Sequence, residues 1–202
     1  MKRKHEFDQQ RYVDFLVSKD VVKVGNFTLK NGSTSNVFFD FGAIKKGNDL
    51  LVLGSHFASY ISEVFKDQIL QIPTYDVIYG PAYKGISLAL ATSMMLAQEH
   101  HIYTSYLYDR KEIKPHGEGG KLIGEFGKGK RVLIIDDVIT DCKTKYDTVK
   151  KLTDSGLNVV GVVVGLDREE FNQKTELSCR HSFSDETGVE LMSLCRKSDI
   201  FK

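Results

Sequence analysis

The stretch RVLIIDDVITDCKTK, residues 131–145, sets a run of apolar residues directly against two acids, Asp136 and Asp137, and then turns polar. Two readings of the acids stand at this point. Short acids accept backbone N–H bonds, so the pair can do no more than cap the helix that follows. The chemical reading is that two carboxylates at a strand terminus grip the hydroxyls of a sugar and sit close to positive charge developing on it. The turn after them, TDCKT, leads into a helix whose first amides can cradle a phosphate, aided by the hydroxyls of Thr140 and Thr144. Acids for a sugar and amides for a phosphate together describe a sugar-phosphate site.

A second charged cluster, RKEIKPHGEGGK, carries Arg110, Lys111, Lys114, His116 and Lys121 against only Glu112 and Glu118. Glycines at 117, 119 and 120 argue for a mobile segment, although such a loop is often only the solvated tip of a hairpin. In GPAYKGI, a turn at Pro81, Ala82 and Tyr83 can face its amides and Lys84 towards an anion; an ordinary strand-to-helix turn with a surface lysine has the same composition. Phe38 and Phe39 are neighbours, so an extended strand sends one to the core and the other away. Arg168, after Asp167, can form a surface ion pair with Glu169 or Glu170. GEFGKGK, residues 124–130, has the glycine and lysine spacing of a nucleotide-binding P-loop. Arg131 stands where a metal-binding Ser or Thr is needed, and the segment precedes a strand instead of joining a strand to a helix, so it is read as a turn.

These residues need elements to position them. Leu50, Leu53, Phe57, Ile61 and Val64 recur at spacings of three and four, which predicts a helix over 49–65 with one apolar face. Three β-branched runs, at 75–80, 130–137 and 158–167, are continuously apolar, as parallel strands covered on both faces are. Helical segments between them, about 84–99 and 144–155, complete an α/β pattern, a doubly wound and mainly parallel sheet flanked by helices. In such sheets ligands bind beyond the carboxyl ends of the strands, where Gly80, Asp136 and Asp167 fall. With 202 residues and no repeat or linker, a single domain over 1–202 is expected.

Composition narrows the partners. The chain has 28 basic and 27 acidic residues, so no global field draws it to nucleic acid or an anionic membrane. Its longest apolar run, VVGVVVGL, is too short to span a bilayer, and no apolar stretch follows the basic amino end. A soluble, cytoplasmic protein is expected. Cys142, Cys179 and Cys195 are odd in number and widely spaced, which favours free thiols in a reducing compartment over disulfides or zinc.

A hydrophobic strand, two acids and a Thr-containing loop resemble the motif that binds phosphoribosyl pyrophosphate in type I phosphoribosyltransferases. FTLKNGSTSNVFFDFG (27–42), YGPAYKGISLA (79–89), YDRKEIKPHGEGG (108–120) and LDREE (166–170) extend the likeness, and together the motifs resemble orotate phosphoribosyltransferase from about Phe7 to Leu194. The resemblance implies a hood over the site, made from about residues 1–45 plus the C-terminal segment, and a flexible catalytic loop that closes over the substrates, typically those of the neighbouring subunit in a homodimer. It implies that Lys114 and His116 act on the departing pyrophosphate, and that Asp136 and Asp137 hold the ribose and stabilise its oxocarbenium-like centre. Further contacts to phosphoribosyl pyrophosphate fall on Lys30, Tyr83, Lys84, Arg110, Lys111, Val138, Ile139, Thr140, Asp141, Cys142, Lys143 and Thr144. For orotate, the resemblance implies Phe38 and Phe39 beside the ring, Lys30 on its substituents, Thr140, and a two-pronged contact from Arg168 to the carboxylate. It implies Mg²⁺ held mainly by substrate oxygens, with no direct protein ligand, and a strained peptide in the turn after Gly80.

The chain departs from the family at one point. After Thr140 the family usually reads Ala-Gly-Thr-Ala, and this chain reads Asp141, Cys142, Lys143, Thr144. Losing the glycine removes the easiest route to positive φ and close approach to phosphate, and Asp141 adds a carboxylate that Lys143 can offset. Weakened phosphate binding is the expectation. It supports an alternative reading, a catalytically weakened regulator that binds phosphoribosyl pyrophosphate or a nucleotide as a signal. Against that stand the intact Lys114 and His116 pair, the orotate-type residues and the lack of a basic face for DNA. Activity on a different base is a third reading, opposed by Phe38, Phe39 and Arg168.

Overall fold

The computed structural model describes residues 6–28, 34–66, 74–114, 120–139, 142–171 and 178–201, with the backbone alone for residues 111–114, 120 and 121. Helix α1 (Gln9–Ser18) starts where Asp8 accepts a bond from the Arg11 amide, and a two-stranded antiparallel ribbon follows, β1 (Val22–Thr28) with β2 (Thr34–Phe39). After the 3-10 turn Phe41–Ala43 come α2 (Gly47–Val64), β3 (Val77–Gly80) and α3 (Lys84–His100). Strands β4 (Ser105–Lys114) and β5 (Gly120–Gly124) form a hairpin; β6 (Arg131–Ile139), α4 (Lys143–Asp154) and β7 (Asn158–Asp167) follow. The described chain ends with α5 (Cys179–Thr187), β8 (Leu191–Arg196) and α6 (Lys197–Ile200).

The main sheet has the order β5-β4-β3-β6-β7-β8, parallel throughout except for β5 against β4. The doubly wound, mainly parallel α/β sheet is thus present. Alternation along β6 divides the core. Leu133 and Ile135 join α1, α2 and α3 on one face, while Val132 and Ile134 join α4 and α5 on the other. Both faces of the strand are covered, which is why its sequence is apolar without interruption. The first cluster draws residues from Tyr12 through Cys195, so the amino-terminal helix packs into the same core as the sheet. Gln9 also donates to the Leu194 carbonyl and to Asp199, joining the two ends of the described chain.

The α2 face differs from its expected stripe at one end. Leu53, Phe57 and Ile61 are buried and Leu50 packs against the core, but Val64 in the last turn is exposed. Gly54 takes a place in the contact instead, since a β-carbon there would stand 2.7 Å from the backbone of Ala91 in α3. Segment 124–130 is a turn between β5 and β6, closed by the Lys130 amide on the Gly127 carbonyl, as its rejection as a P-loop requires. No helix among the described residues is long and apolar enough to cross a membrane. All three cysteines are buried and unbridged.

Candidate active site

Strand β6 does not end at the acids. It runs to Ile139, so Asp136 and Asp137 lie inside the strand and not at its terminus, and the pleat sends them to opposite faces. Each meets a lysine from the helix that covers its side. Lys145, in the first turn of α4, bonds Asp136 Oδ2 and also reaches the Val138 carbonyl at 3.4 Å. Lys84, the first residue of α3, bonds Asp137 Oδ2 at 3.0 Å. The remaining carboxylate oxygens accept backbone amides: Oδ1 of Asp136 from Asp137 at 2.9 Å, Oδ1 of Asp137 from Val138 at 2.9 Å. These bonds lie within the strand, so neither acid caps the helix that follows.

The two lysines differ in setting. The Lys145 side chain is 5% exposed and that of Lys84 56%. Burial pushes the Asp136 carboxyl above its ordinary range, against the pull of the Lys145 ammonium; Asp137 alongside pushes it further up.

The turn that brings Lys84 here is tight. A β-carbon on Gly80 would stand 1.9 Å from the Gly85 carbonyl oxygen, so the end of β3 and the start of α3 nearly touch, and the Ala82–Tyr83 peptide is cis. Tyr83 is largely exposed at the start of α3.

At the turn expected to take a phosphate, α4 begins at Cys142, whose φ of 57° lies in the left-handed region. The family's glycine position is therefore occupied here by a residue that adopts the glycine-like conformation. Its side chain is buried, and Sγ lies 3.3 Å from the Cys179 carbonyl of α5, so the thiol is packed between α4 and α5. Lys143 and Thr144 follow on the exposed side, and Ile139 is buried at the end of β6, opposite Asp167 of β7. Thr140 and Asp141 lie outside the described residues, as do Lys30 and His116; of Lys111 and Lys114 only the backbone is described.

The residues expected beside the base are divided. Phe39 is buried and Phe38 is 38% exposed, the split that adjacent residues on a strand require, and the Phe38 ring lies 5.6 Å from that of Phe27. Arg168 donates from Nη2 to Glu170 Oε1 at 2.7 Å, one of the two acidic neighbours expected for it. Asp167, third of the strand-end positions, is buried and accepts the Glu169 amide, so it shapes that turn. Arg110 is half-buried on β4.

Sequence reasoning named Lys143 of α4 but missed Lys145. Lys145, Thr148 and Leu152 form the buried stripe of that helix at spacings of three and four, and a lysine in such a stripe is the signal that was present. Lys151 was also missed; it reaches from α4 to Tyr79 on β3 and Asp109 on β4.

Known proteins match this chain along nearly all its length. It is 37% identical over 192 residues to the orotate phosphoribosyltransferase of Photobacterium profundum, covering 95% of this chain and 86% of that one. The orotate phosphoribosyltransferase of Marinobacter nauticus is 38% identical over 196 residues, covering 97% and 87%. Among solved structures, the orotate phosphoribosyltransferase of Francisella tularensis superimposes with a TM-score of 0.79 at 32% identity, covering 95% of this chain and 88% of that one. No family model matches the chain.

Proposed function

The chain belongs to the orotate phosphoribosyltransferase family, and we propose on that footing that it joins orotate to the ribose-phosphate of phosphoribosyl pyrophosphate, releasing orotidine 5′-monophosphate and pyrophosphate. This is a pentosyl transfer in pyrimidine biosynthesis. The observation that carries it to particular residues is the pair Asp136 and Asp137, placed between the starts of α3 and α4 with a lysine beside each.

The pyrimidine nitrogen is acidic enough to attack as an anion, so no strong base is needed and the protein contributes positioning and charge. Asp136 and Asp137 hold the ribose hydroxyls and face the oxocarbenium-like centre. The start of α4, with Val138, Ile139, Thr140, Asp141, Cys142, Lys143 and Thr144, takes the 5′-phosphate. Lys84 and Tyr83 face the pyrophosphate, and Arg110, Lys111, Lys114 and His116 close on it as residues 109–121 exclude water. Phe38, Phe39, Lys30, Thr140 and Arg168 place the orotate, with Arg168 leaving Glu170 for the substrate carboxylate.

A Mg²⁺ ion bound with the substrate would supply charge neutralisation for the leaving pyrophosphate. Both aspartates give Oδ2 to a lysine and Oδ1 to an amide, which suits a hard cation held mainly by its substrate and not by a protein cage. A single domain with an amino-terminal hood, a cytoplasmic setting, a homodimer with shared sites, and no nucleic-acid or membrane partner complete the reading. The comparisons lend the regulatory alternative no support.

The test is to mix the protein with orotate, phosphoribosyl pyrophosphate and Mg²⁺ and follow the ultraviolet absorbance of orotate. Turnover is expected. Measurable binding of both substrates without turnover overturns the enzymatic reading.

A further inference from the structure

The lysine at Asp136 is not placed like a surface partner. Lys145 lies in the buried stripe of α4, its side chain 5% exposed, and its ammonium meets Asp136 Oδ2 and the Val138 carbonyl. Asp136 Oδ1 is held by the Asp137 amide, so both carboxylate oxygens have a strong donor. Asp137 is tied through Oδ2 to a lysine 56% exposed, a pair that water screens and that an incoming anion can exchange.

A buried ion pair is an expensive way to gain stability, because desolvating two charges takes back most of their attraction and an apolar pair of similar volume usually serves as well. Its placement is informative when one partner must stay charged for another purpose. Asp136 stands beside a second carboxylate and is largely buried, two conditions that favour a neutral acid, and a neutral acid cannot stabilise positive charge on a sugar. The charged and titratable groups facing it are Lys145 from α4, Asp137 on its own strand and the Tyr79 hydroxyl of β3. Among the described residues facing Asp136, Lys145 is the cation.

We propose that Lys145 is a positioning residue: it holds Asp136 as an ionised carboxylate of set orientation, while Asp137, paired with Lys84, is the acid that changes partners when substrate enters. The inference rests on the proposed transferase reaction, in which these two acids face the ribose.

The experiment replaces Lys145 with Met, which keeps the chain length and removes the charge. Carbon-13 titration of the Asp136 carboxyl is expected to move upward by about one unit or more, since its cation is gone. The ratio kcat/KM for phosphoribosyl pyrophosphate is expected to fall about 10- to 100-fold, with the acidic limb of the pH profile moved to higher pH. The double variant Lys145→Met with Asp136→Asn leaves no buried charge, and it is expected to fold and to be no slower than Asp136→Asn alone. A folded Lys145→Met protein with an unmoved Asp136 titration overturns the proposal. So does a double variant whose losses multiply, because Lys145 then acts other than through Asp136. If the unmodified protein binds both substrates without turnover, the transferase reading fails, and the Asp136 titration still decides whether Lys145 sets its charge.

Discussion

Lys151 of α4 and Asp109 of β4 form an ion pair, with Nζ 2.5 Å from Oδ1, and the same ammonium lies 2.7 Å from the hydroxyl of the buried Tyr79. The contact joins three elements. Asp109 comes just before Arg110 and Lys111, so the bond ties the β4–β5 hairpin to the helix whose other end is proposed to take the phosphate. Replacing Lys151 with Met takes the ammonium from both Asp109 and Tyr79 and leaves the carboxylate with the Tyr79 hydroxyl as its partner. The expected result is a loss of about 1–2 kcal/mol in urea unfolding and a kcat lowered several-fold, because the proposed closing loop springs from an unanchored strand. A variant with unchanged unfolding and unchanged kcat would show that this bond anchors nothing.

Gly80 and Gly85 make a second point of control. A β-carbon at Gly80 meets the Gly85 carbonyl oxygen at 1.9 Å, and the obstacle is backbone, which cannot rotate away. Gly80→Ala must therefore shift the start of α3 and draw Lys84 away from Asp137. We expect turnover to fall at least about tenfold with the KM for phosphoribosyl pyrophosphate raised, since misplacing a contact group by about 1 Å is costly. Wild-type kinetics in Gly80→Ala would mean that the turn does not position Lys84.

Cys142 bears on whether the departure at 141–143 weakens phosphate binding, as the sequence leads one to expect. The residue already adopts the positive φ that the family's glycine would supply, and its thiol is packed against α5. Glycine there would relieve about 1–2 kcal/mol of backbone cost while losing the buried thiol contacts and adding freedom to the unfolded chain. The terms oppose, so Cys142→Gly should change stability by less than about 1 kcal/mol and leave the KM for phosphoribosyl pyrophosphate within about twofold. A marked fall in that KM would locate the weakening at Cys142 and not at Asp141.

The same residues mark what the sequence could reveal. Strands β3, β6 and β7 were legible because strands buried on both faces must be apolar throughout, and α3 and α4 lie between them. The outer elements were not: β4, next to the edge strand β5, reads SYLYDRKEIK, and β8, at the other edge, reads LMSLCR, too polar or too short for a clear period. The two acids were found, but a strand that continues through charged residues does not announce its end, so their assignment to opposite faces waited on the structure. Lys145 went unseen because lysine is by default a surface residue, and only its partner explains its burial.

His56 supplies a pH test independent of catalysis. It is buried beside the rings of Tyr12 and Phe15, and burial, reinforced by Arg11 and opposed by Asp8 and Glu99, lowers its pKa to about 4. The folded protein therefore resists the proton that the unfolded chain accepts near 6.5. Between those values the unfolded state binds more protons, so stability falls as the pH drops from 6.5 towards 4 and changes no further from this source below that. The contribution amounts to about 3 kcal/mol at most. Unfolding measured across that window should lose most of this slope in His56→Gln; a slope identical to that of the unmodified protein would place the titration elsewhere.

Site sharing between subunits makes the strongest demand. Asp137 stands on β6 inside the sheet, whereas Lys114 closes the first arm of a hairpin at the sheet's edge, and in the proposed homodimer that hairpin is taken to serve the partner's site. Lys114→Ala removes the proposed pyrophosphate cation and Asp137→Asn a ribose carboxylate, so each protein alone should turn over at least about a hundredfold more slowly. If the loop serves the neighbouring subunit, a mixed dimer has one site lacking both groups and one lacking neither. Equal amounts, dissociated and re-formed together, give half mixed dimers and hence about a quarter of the unmodified activity. If each loop serves its own subunit, every site in the mixture still lacks one group, and re-formed mixed dimers stay as slow as the parents.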